Sequence, residues 1–297
     1  MPERQTPKIC DYEGSNYRTD FWEGRGRDYE DRAERIVLRR LLPKGGRRLL
    51  EIGAGFGRLT EEYSGYEQVV LLDYSFSQLQ YARERYGDEG YLYVAADLYK
   101  LPFQPGVFDG ATMIRVIHHL ANVPAAMAQI RRVLTPQGVF ILEHANKRNL
   151  KAMLRYTLGS QSWSPYTEEP VEFVELNFDF HPVYVQQQLE ATGFSVGQRV
   201  PVSFFRLNAL KRLVPTDVLV TLDSTLQRTG LMVTPSIFIR ATAQGQSITN
   251  LDAPFIFADP EDGGDLTREG DTLVNLKTGL RYAIRDGIYD FKAPIEG

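Results

Sequence analysis

The chain has 297 residues, of which 43% are hydrophobic and 24% charged, with a formal net charge of −4. That composition is globular, and the acidic balance supplies no general attraction for nucleic acid. The single cysteine, Cys10, excludes an internal disulfide and a thiolate metal cluster; no apolar signal-like segment opens the chain and no apolar run reaches the length of a membrane span, so a soluble cytoplasmic protein is expected.

Residues 1–20 are polar and irregular. After Phe21-Trp22-Glu23-Gly24-Arg25-Gly26-Arg27, Tyr29, Ala33, Ile36, Val37, Leu41 and Leu42 recur at helical spacing, with Pro43 just beyond. Leu49, Leu50 and Ile52 form the apolar run of a strand covered on both faces. It enters the turn Gly53-Ala54-Gly55-Phe56-Gly57, with Glu51 two residues ahead, and a helix is expected over 58–64. Glycines there tolerate positive φ and let a ligand lie against the backbone. A dinucleotide fingerprint would need its third glycine where Arg58 stands, which disfavours a dehydrogenase. Gln68 to Asp73 reads as a second strand ending in an acid. A carboxylate at that tip can accept two hydrogen bonds from ribose hydroxyls. Tyr74 and Ser75 turn into a helix, and Tyr91 to Asp97 gives a third strand, again ending in an acid and followed by Leu98. Val107 to Val116, with Arg115 near its end, is a fourth strand, followed by Ile117-His118-His119-Leu120. Helix 123–134 and strand 138–143 complete a fifth step. Strand and helix alternate throughout, which implies an α/β sheet.

The spacing E-x-G-x-G-x-G from Glu51, with Leu101-Pro102-Phe103, Phe108-Asp109 and His118-His119-Leu120 following in order, resembles class I S-adenosylmethionine (SAM) dependent methyltransferases, in the broad group that includes quinone-biosynthesis methyltransferases. The resemblance covers residues 45–145. It implies a Rossmann-like seven-stranded mixed sheet with helices on both faces, over a domain of 45–244. It further implies that S-adenosyl-L-methionine is bound by Glu51, Gly53, Ala54, Gly55, Gly57, Asp73, Tyr74, Asp97, Leu98 and Arg115. In it Asp97 accepts from the adenine amino group and the Leu98 amide serves a ring nitrogen. The arm and helix of 1–44 would close over this pocket, with Arg25 or Arg27 meeting the methionine carboxylate. Helical inserts are expected at 145–181, as a substrate cap, and at 203–233, as packing, as an apolar lid for a lipid-like acceptor or as a membrane-surface contact. Strands near 194–200 and 236–241 complete the sheet.

Methyl transfer from a sulfonium needs mainly orientation, and a base only where the acceptor must lose a proton. His118 and His119 are the candidates for that base, with Glu143 and His144 weaker ones; packing roles are the competing reading. The implied activity is methyl transfer to a small molecule at oxygen or carbon. The alternatives are RNA or protein methylation with the tail as a docking module, or a SAM-binding partner without turnover. Oligomeric state is left open. A short polar stretch, 245–250, leads into 250–297. This tail resembles the zinc-ribbon-like methyltransferase-activator domain, a small mostly-β unit, with Asp259, Asp262, Asn275 and Thr278 at its cysteine positions. Asn and Thr are poor zinc ligands, so no metal is expected, with only a weak hard-ion site conceivable at Asp259 and Asp262.

Overall fold

The computed structural model describes residues 7, 9–15, 19, 22, 26–245 and 248–295. Parallel strands buried on both faces require unbroken apolar runs. Four such runs form the centre: β1 (Gly46–Ile52), β2 (Tyr66–Asp73), β3 (Tyr91–Ala95) and β4 (Phe108–Met113). β1 lies between β2 and β4 and is parallel to both; β3 flanks β2, and β5 (Leu134–Ala145) flanks β4. The strand order therefore reverses beside β1, and in open α/β sheets ligands bind outside the carboxyl ends of the strands at such a point.

Helices cover both faces. α1 (Asp28–Leu41) and α2 (Phe76–Tyr86) pack on one side, where Tyr29, Val37, Leu38, Leu41, Leu79 and Ala82 are buried together. α3 (Val123–Val133) packs on the other, through Ala126, Met127 and Ile130. The expected helix over 58–64 is instead a short 3-10 turn, Thr60–Tyr63. The chain must re-enter the sheet at Tyr66, which leaves room for one turn only. Thr60 Oγ1 also donates to Glu51 Oε2 at 2.6 Å, and Arg35 Nη1 donates to Glu62 Oε1 at 2.9 Å, fixing the turn at both ends.

The 145–181 insert is helical only in α4 (Leu150–Thr157). It continues as a loop and the hairpin of β6 (Val171–Val174) and β7 (Asn177–Asp179). Buried Lys147 holds the loop, its Nζ donating to Thr167 O at 2.9 Å and Glu169 O at 2.6 Å. α5 (Pro182–Ala191) follows, then β8 (Phe194–Val202). The 203–233 insert is helical, with α6 (Asn208–Leu213) and α7 (Thr216–Leu226). β9 (Ser236–Ala243) runs antiparallel between β5 and β8.

The sheet does not stop at seven strands. Four antiparallel tail strands, β10 (Thr267–Glu269), β11 (Thr272–Val274), β12 (Arg281–Arg285) and β13 (Ile288–Asp290), extend it to eleven through β13, which pairs parallel with β3. The tail thus continues the main sheet instead of forming a sheet of its own. An edge strand presents unpaired backbone groups; here β3 is paired, and Phe291 N donates to Ala95 O at 2.8 Å. The preceding stretch is pinned too, with Asn250 N donating to Gly106 O at 2.8 Å.

Candidate functional site

Two cavities meet at the glycine turn. The larger is lined by Gly53, Gly55, Asp73, Tyr74, Asp97 and Leu98, with Arg115, Val116, His119 and Leu120 from the loop after β4. Ile9, Cys10 and Tyr12 of the N-terminal arm also line it. The smaller lies across the turn, among Trp22, Glu51, Ala54, Arg58, Tyr63 and Arg115.

Gly53 and Gly55 both hold positive φ, 67° and 53°. A methyl group on Gly53 would fall 2.2 Å from Val116 Cγ2, whereas one on Gly55 would meet nothing within 4 Å. Gly53 therefore permits close packing, and Gly55 keeps the cavity wall low. Gly57 lines neither cavity. Its carbonyl accepts from Tyr86 Oη at 2.8 Å, and a side chain there would strike that ring.

Asp73 is built into the turn that it faces. Its Oδ2 accepts from Gly55 N at 2.7 Å and its Oδ1 from Ser75 N at 2.9 Å. Each carboxylate oxygen can accept a further bond, so capacity remains for hydroxyl donors. Burial raises its pKa, against those backbone bonds. Asp97 Oδ1 accepts from Tyr99 N at 2.8 Å and caps a 3-10 turn, Leu98–Lys100, whose first N–H has no intrahelical partner. Gln78 also lines the larger cavity, and its Oε1 is buried without a hydrogen bond. Orphaned acceptors facing one cavity fit a ligand rich in O–H and N–H donors.

The arm is fastened over this cavity. Glu13 accepts from Phe76 N at 2.6 Å and Ser77 N at 3.1 Å, placing an anion at the N-terminus of α2. Tyr12 Oη lies 3.2 Å from His119 Nε2, and His119 Nδ1 lies 2.9 Å from Leu176 O in the hairpin turn. With a proton on Nδ1, the ring donates to the carbonyl and accepts from the phenol, so both nitrogens of His119 are engaged. His118 lines neither cavity and has no hydrogen bond among the described residues. Its burial, with His119 and Arg115 beside it, holds its pKa well below the ordinary range, so the ring is neutral at pH 7.

Arginines gather at the smaller cavity. Arg58 stacks over the Trp22 ring, 3.8 Å from its centroid, and donates to Glu34 Oε2 at 2.8 Å. Arg115 donates to the other oxygen of Glu34 and sits 5.0 Å from the same ring. Glu34 is fully buried. Burial opposes its ionisation, but Arg115 and Arg58 outweigh it and hold the carboxyl at about 2. Arg115 adopts φ 60°, a left-handed backbone costly for a residue with a Cβ, and its N–H is fixed by Glu143 Oε2 at 2.9 Å. Glu143 also accepts from Ser236 Oγ at 2.5 Å, so it is committed to structure. Glu51 is buried, with its pKa raised by burial to about 8. His144 is buried behind the site, its Nδ1 3.1 Å from Ala145 O, and lines neither cavity. Arg27 lies 5.6 Å from the Trp22 ring centroid but in neither cavity, and Arg25 falls outside the described residues.

The arginine at the smaller cavity that sequence reasoning passed over is Arg58, weighed there only as a missing glycine. Glu34 was passed over as well. Its signal was available: it shares the apolar stripe of α1 with Ala33, Val37 and Leu41, where an unpaired carboxylate would be costly.

A family profile described as "Methyltransferase domain" covers part of this architecture. Residues 50–142 match a methyltransferase domain. The match runs from β1 through β5 and contains Glu51, the three glycines, Asp73, Asp97, Arg115, His118 and His119. Among curated proteins, the chain is 32% identical over 151 residues to the O-methyltransferase cnsE of Penicillium expansum, covering 47% of this chain and 55% of that one. It is 35% identical over 124 residues to the ubiquinone/menaquinone biosynthesis C-methyltransferase UbiE of Teredinibacter turnerae, covering 39% and 50%. The chain thus spans about half the length of these two relatives. A putative SAM-dependent methyltransferase from Listeria monocytogenes superposes with a TM-score of 0.52 at 17% identity, over 73% of this chain and 99% of that one. The fold around the methyltransferase domain is that of SAM-dependent methyltransferases, with a mixed sheet.

Proposed function

We propose that the chain is a SAM-dependent methyltransferase acting on a small molecule at oxygen or carbon. The observation that carries this reading is the pairing of Asp73 and Asp97 on one cavity, opposite the open backbone at Gly55. Asp73 accepts from ribose hydroxyls, while Asp97 and the Leu98 N–H serve the adenine edge. Tyr74 and the arm residues Ile9 and Tyr12 wall the ring faces. The smaller cavity, with Arg58 and Arg115, suits the carboxylate of the methionine end. The bound sulfonium supplies an activated methyl group. The residues around it then orient the acceptor and exclude water. Of the two candidate bases, His119 alone lines the larger cavity. Its Nε2, shared with Tyr12, takes the proton from an acidic hydroxyl or enol, while its Nδ1 ties it to the hairpin. His118 packs beside it, outside both cavities. An O-methyltransferase and a C-methyltransferase among the relatives support either acceptor atom.

The remaining regions take supporting parts. Residues 1–44 form the arm and helix over the cofactor, 45–244 the transferase domain, and 250–297 a zinc-ribbon-like unit without metal ligands. In place of a metal, Asn275 Nδ2 donates to Asp259 Oδ2 at 2.6 Å and Asp262 Oδ1 at 3.1 Å, while Thr278 N donates to Asn275 Oδ1 at 3.2 Å. Among the described residues, no group of three or more His, Cys, Asp or Glu is placed to hold a metal ion.

Turnover tests this directly. Protein incubated with methyl-labelled SAM and a set of phenols and enols should release S-adenosylhomocysteine and label one small molecule. A His119→Asn variant should lower that rate about 10²–10⁴-fold, the range for losing a general base, while His118→Asn should leave it largely unchanged. Label passing only to RNA or protein would contradict the acceptor class.

A further inference from the structure

α4 presents its apolar side outward. Leu150, Leu154 and Leu158 are four residues apart and so form one stripe. They are 53%, 55% and 80% exposed, while the only buried residue of the helix is Ala152, on the opposite side. The stripe is continuous with a neighbouring segment, because Leu150 N donates to Val233 O at 2.8 Å and Leu231 is also 53% exposed. Tyr156, on the Ala152 side of the helix, is exposed, and its ring centroid lies 6.1 Å from that of exposed Tyr166.

Along the helix itself the charge has one sign, whereas Glu168 and Glu169 lie in the loop that follows. Arg148, Lys151 and Arg155 are exposed, and no acidic residue occurs from Asn146 to Gly159, although the whole chain carries −4. An outward apolar stripe flanked by cations is the arrangement that lies in a bilayer interface. A second copy is a poorer occupant, since a two-fold contact would set three cations against the same three.

We propose that α4 and the adjoining Leu231 dock on an anionic membrane surface. This goes beyond the methyltransferase reading and does not depend on it. α4 leaves the carboxyl end of β5, which is parallel to β4, so the docked bilayer lies at the sheet edge where the cofactor cavity opens.

The test is co-sedimentation of the full chain with phosphatidylcholine vesicles, with and without about one third phosphatidylglycerol, at low and high salt. At roughly fivefold per cation, binding to the anionic vesicles should exceed that to neutral ones by about a hundredfold, and salt should abolish the difference. A Leu154→Ser/Leu158→Ser double variant should bind at least about tenfold more weakly, with unchanged far-ultraviolet dichroism and SAM affinity, since both side chains are exposed. A Lys151→Gln/Arg155→Gln variant should lose most of the preference for phosphatidylglycerol. No binding to anionic vesicles at low salt would overturn the proposal, as would binding indifferent to the leucine substitutions. Self-association abolished by the leucine variant, without vesicle binding, would assign the face to a second copy and overturn it too.

Discussion

Glu34 is the carboxylate around which the arginines of the smaller cavity are arranged. Removing its charge would take from Arg115 its carboxylate partner and leave Arg58 with Asp31 alone, in a largely buried place. Glu34→Gln should therefore cost about 3–5 kcal/mol near neutral pH, measured by urea unfolding. The sign of the pH dependence follows from the depressed pKa. The folded carboxyl titrates at about 2, below the ordinary 4.5, so its stabilisation is fully present above pH 4.5 and fades as pH falls towards 2. The gap between wild type and variant should narrow across that window; a constant gap would mean that charge pairing is not the cause. At this scale the sequence was informative where a residue's position in a strand–turn unit constrains its task. Asp73, Asp97, Gly53 and Gly55 are such residues, each lining the larger cavity, whereas Gly57, expected with them, lines neither cavity. Arg58 is not, because its role depends on Trp22 and Glu34, which are distant in the chain and meet it only through packing.

Among elements, the turn after β1 separates two uses of glycine that look alike in sequence. Gly53→Ala should destabilise by several kcal/mol, adding about 1–2 kcal/mol for a left-handed alanine to the overpacking against Val116. Gly55→Ala has open space and should carry only the backbone term, yet weaken cofactor binding by narrowing the cavity. Urea unfolding and SAM titration of the two variants check this; equal stability losses would refute the distinction. The tail hairpins supply a second case. Asn275 and Asp259 are buried against each other, so Asn275→Ala should cost about 1–3 kcal/mol for the Asp259 Oδ2 left without its donor, while Oδ1 keeps Tyr282 and Glu261 N. Chelator treatment of wild type should leave its melting temperature unchanged. A fall on chelation would show a metal that the hydrogen-bonded cluster does not account for.

For the molecule as a whole, the alternation of strands and helices made the central sheet legible, including the strands near 194–200 and 236–241, of which β9 runs antiparallel to its neighbours β5 and β8. The extension to eleven strands was not legible. The resemblance makes the tail mostly β but does not say that β13 pairs with β3, nearly two hundred residues earlier. That pairing is set by tertiary contacts, among them Phe103 against Phe257, Lys100 with Glu261, and Lys292 near both Tyr74 and Glu13. Several of these border the proposed adenine pocket, so the tail supports the same cavity that the arm covers. No helix among the described residues is long and apolar enough to cross a membrane. The account rests on that cavity holding SAM, and a calorimetric titration of wild type and Asp73→Ala with SAM and S-adenosylhomocysteine tests it most directly. Wild type should bind both, and the variant should bind at least about tenfold more weakly, the range for hydrogen bonds to a charged group. Folded wild type that binds neither ligand, or equal affinity in the two proteins, would contradict it.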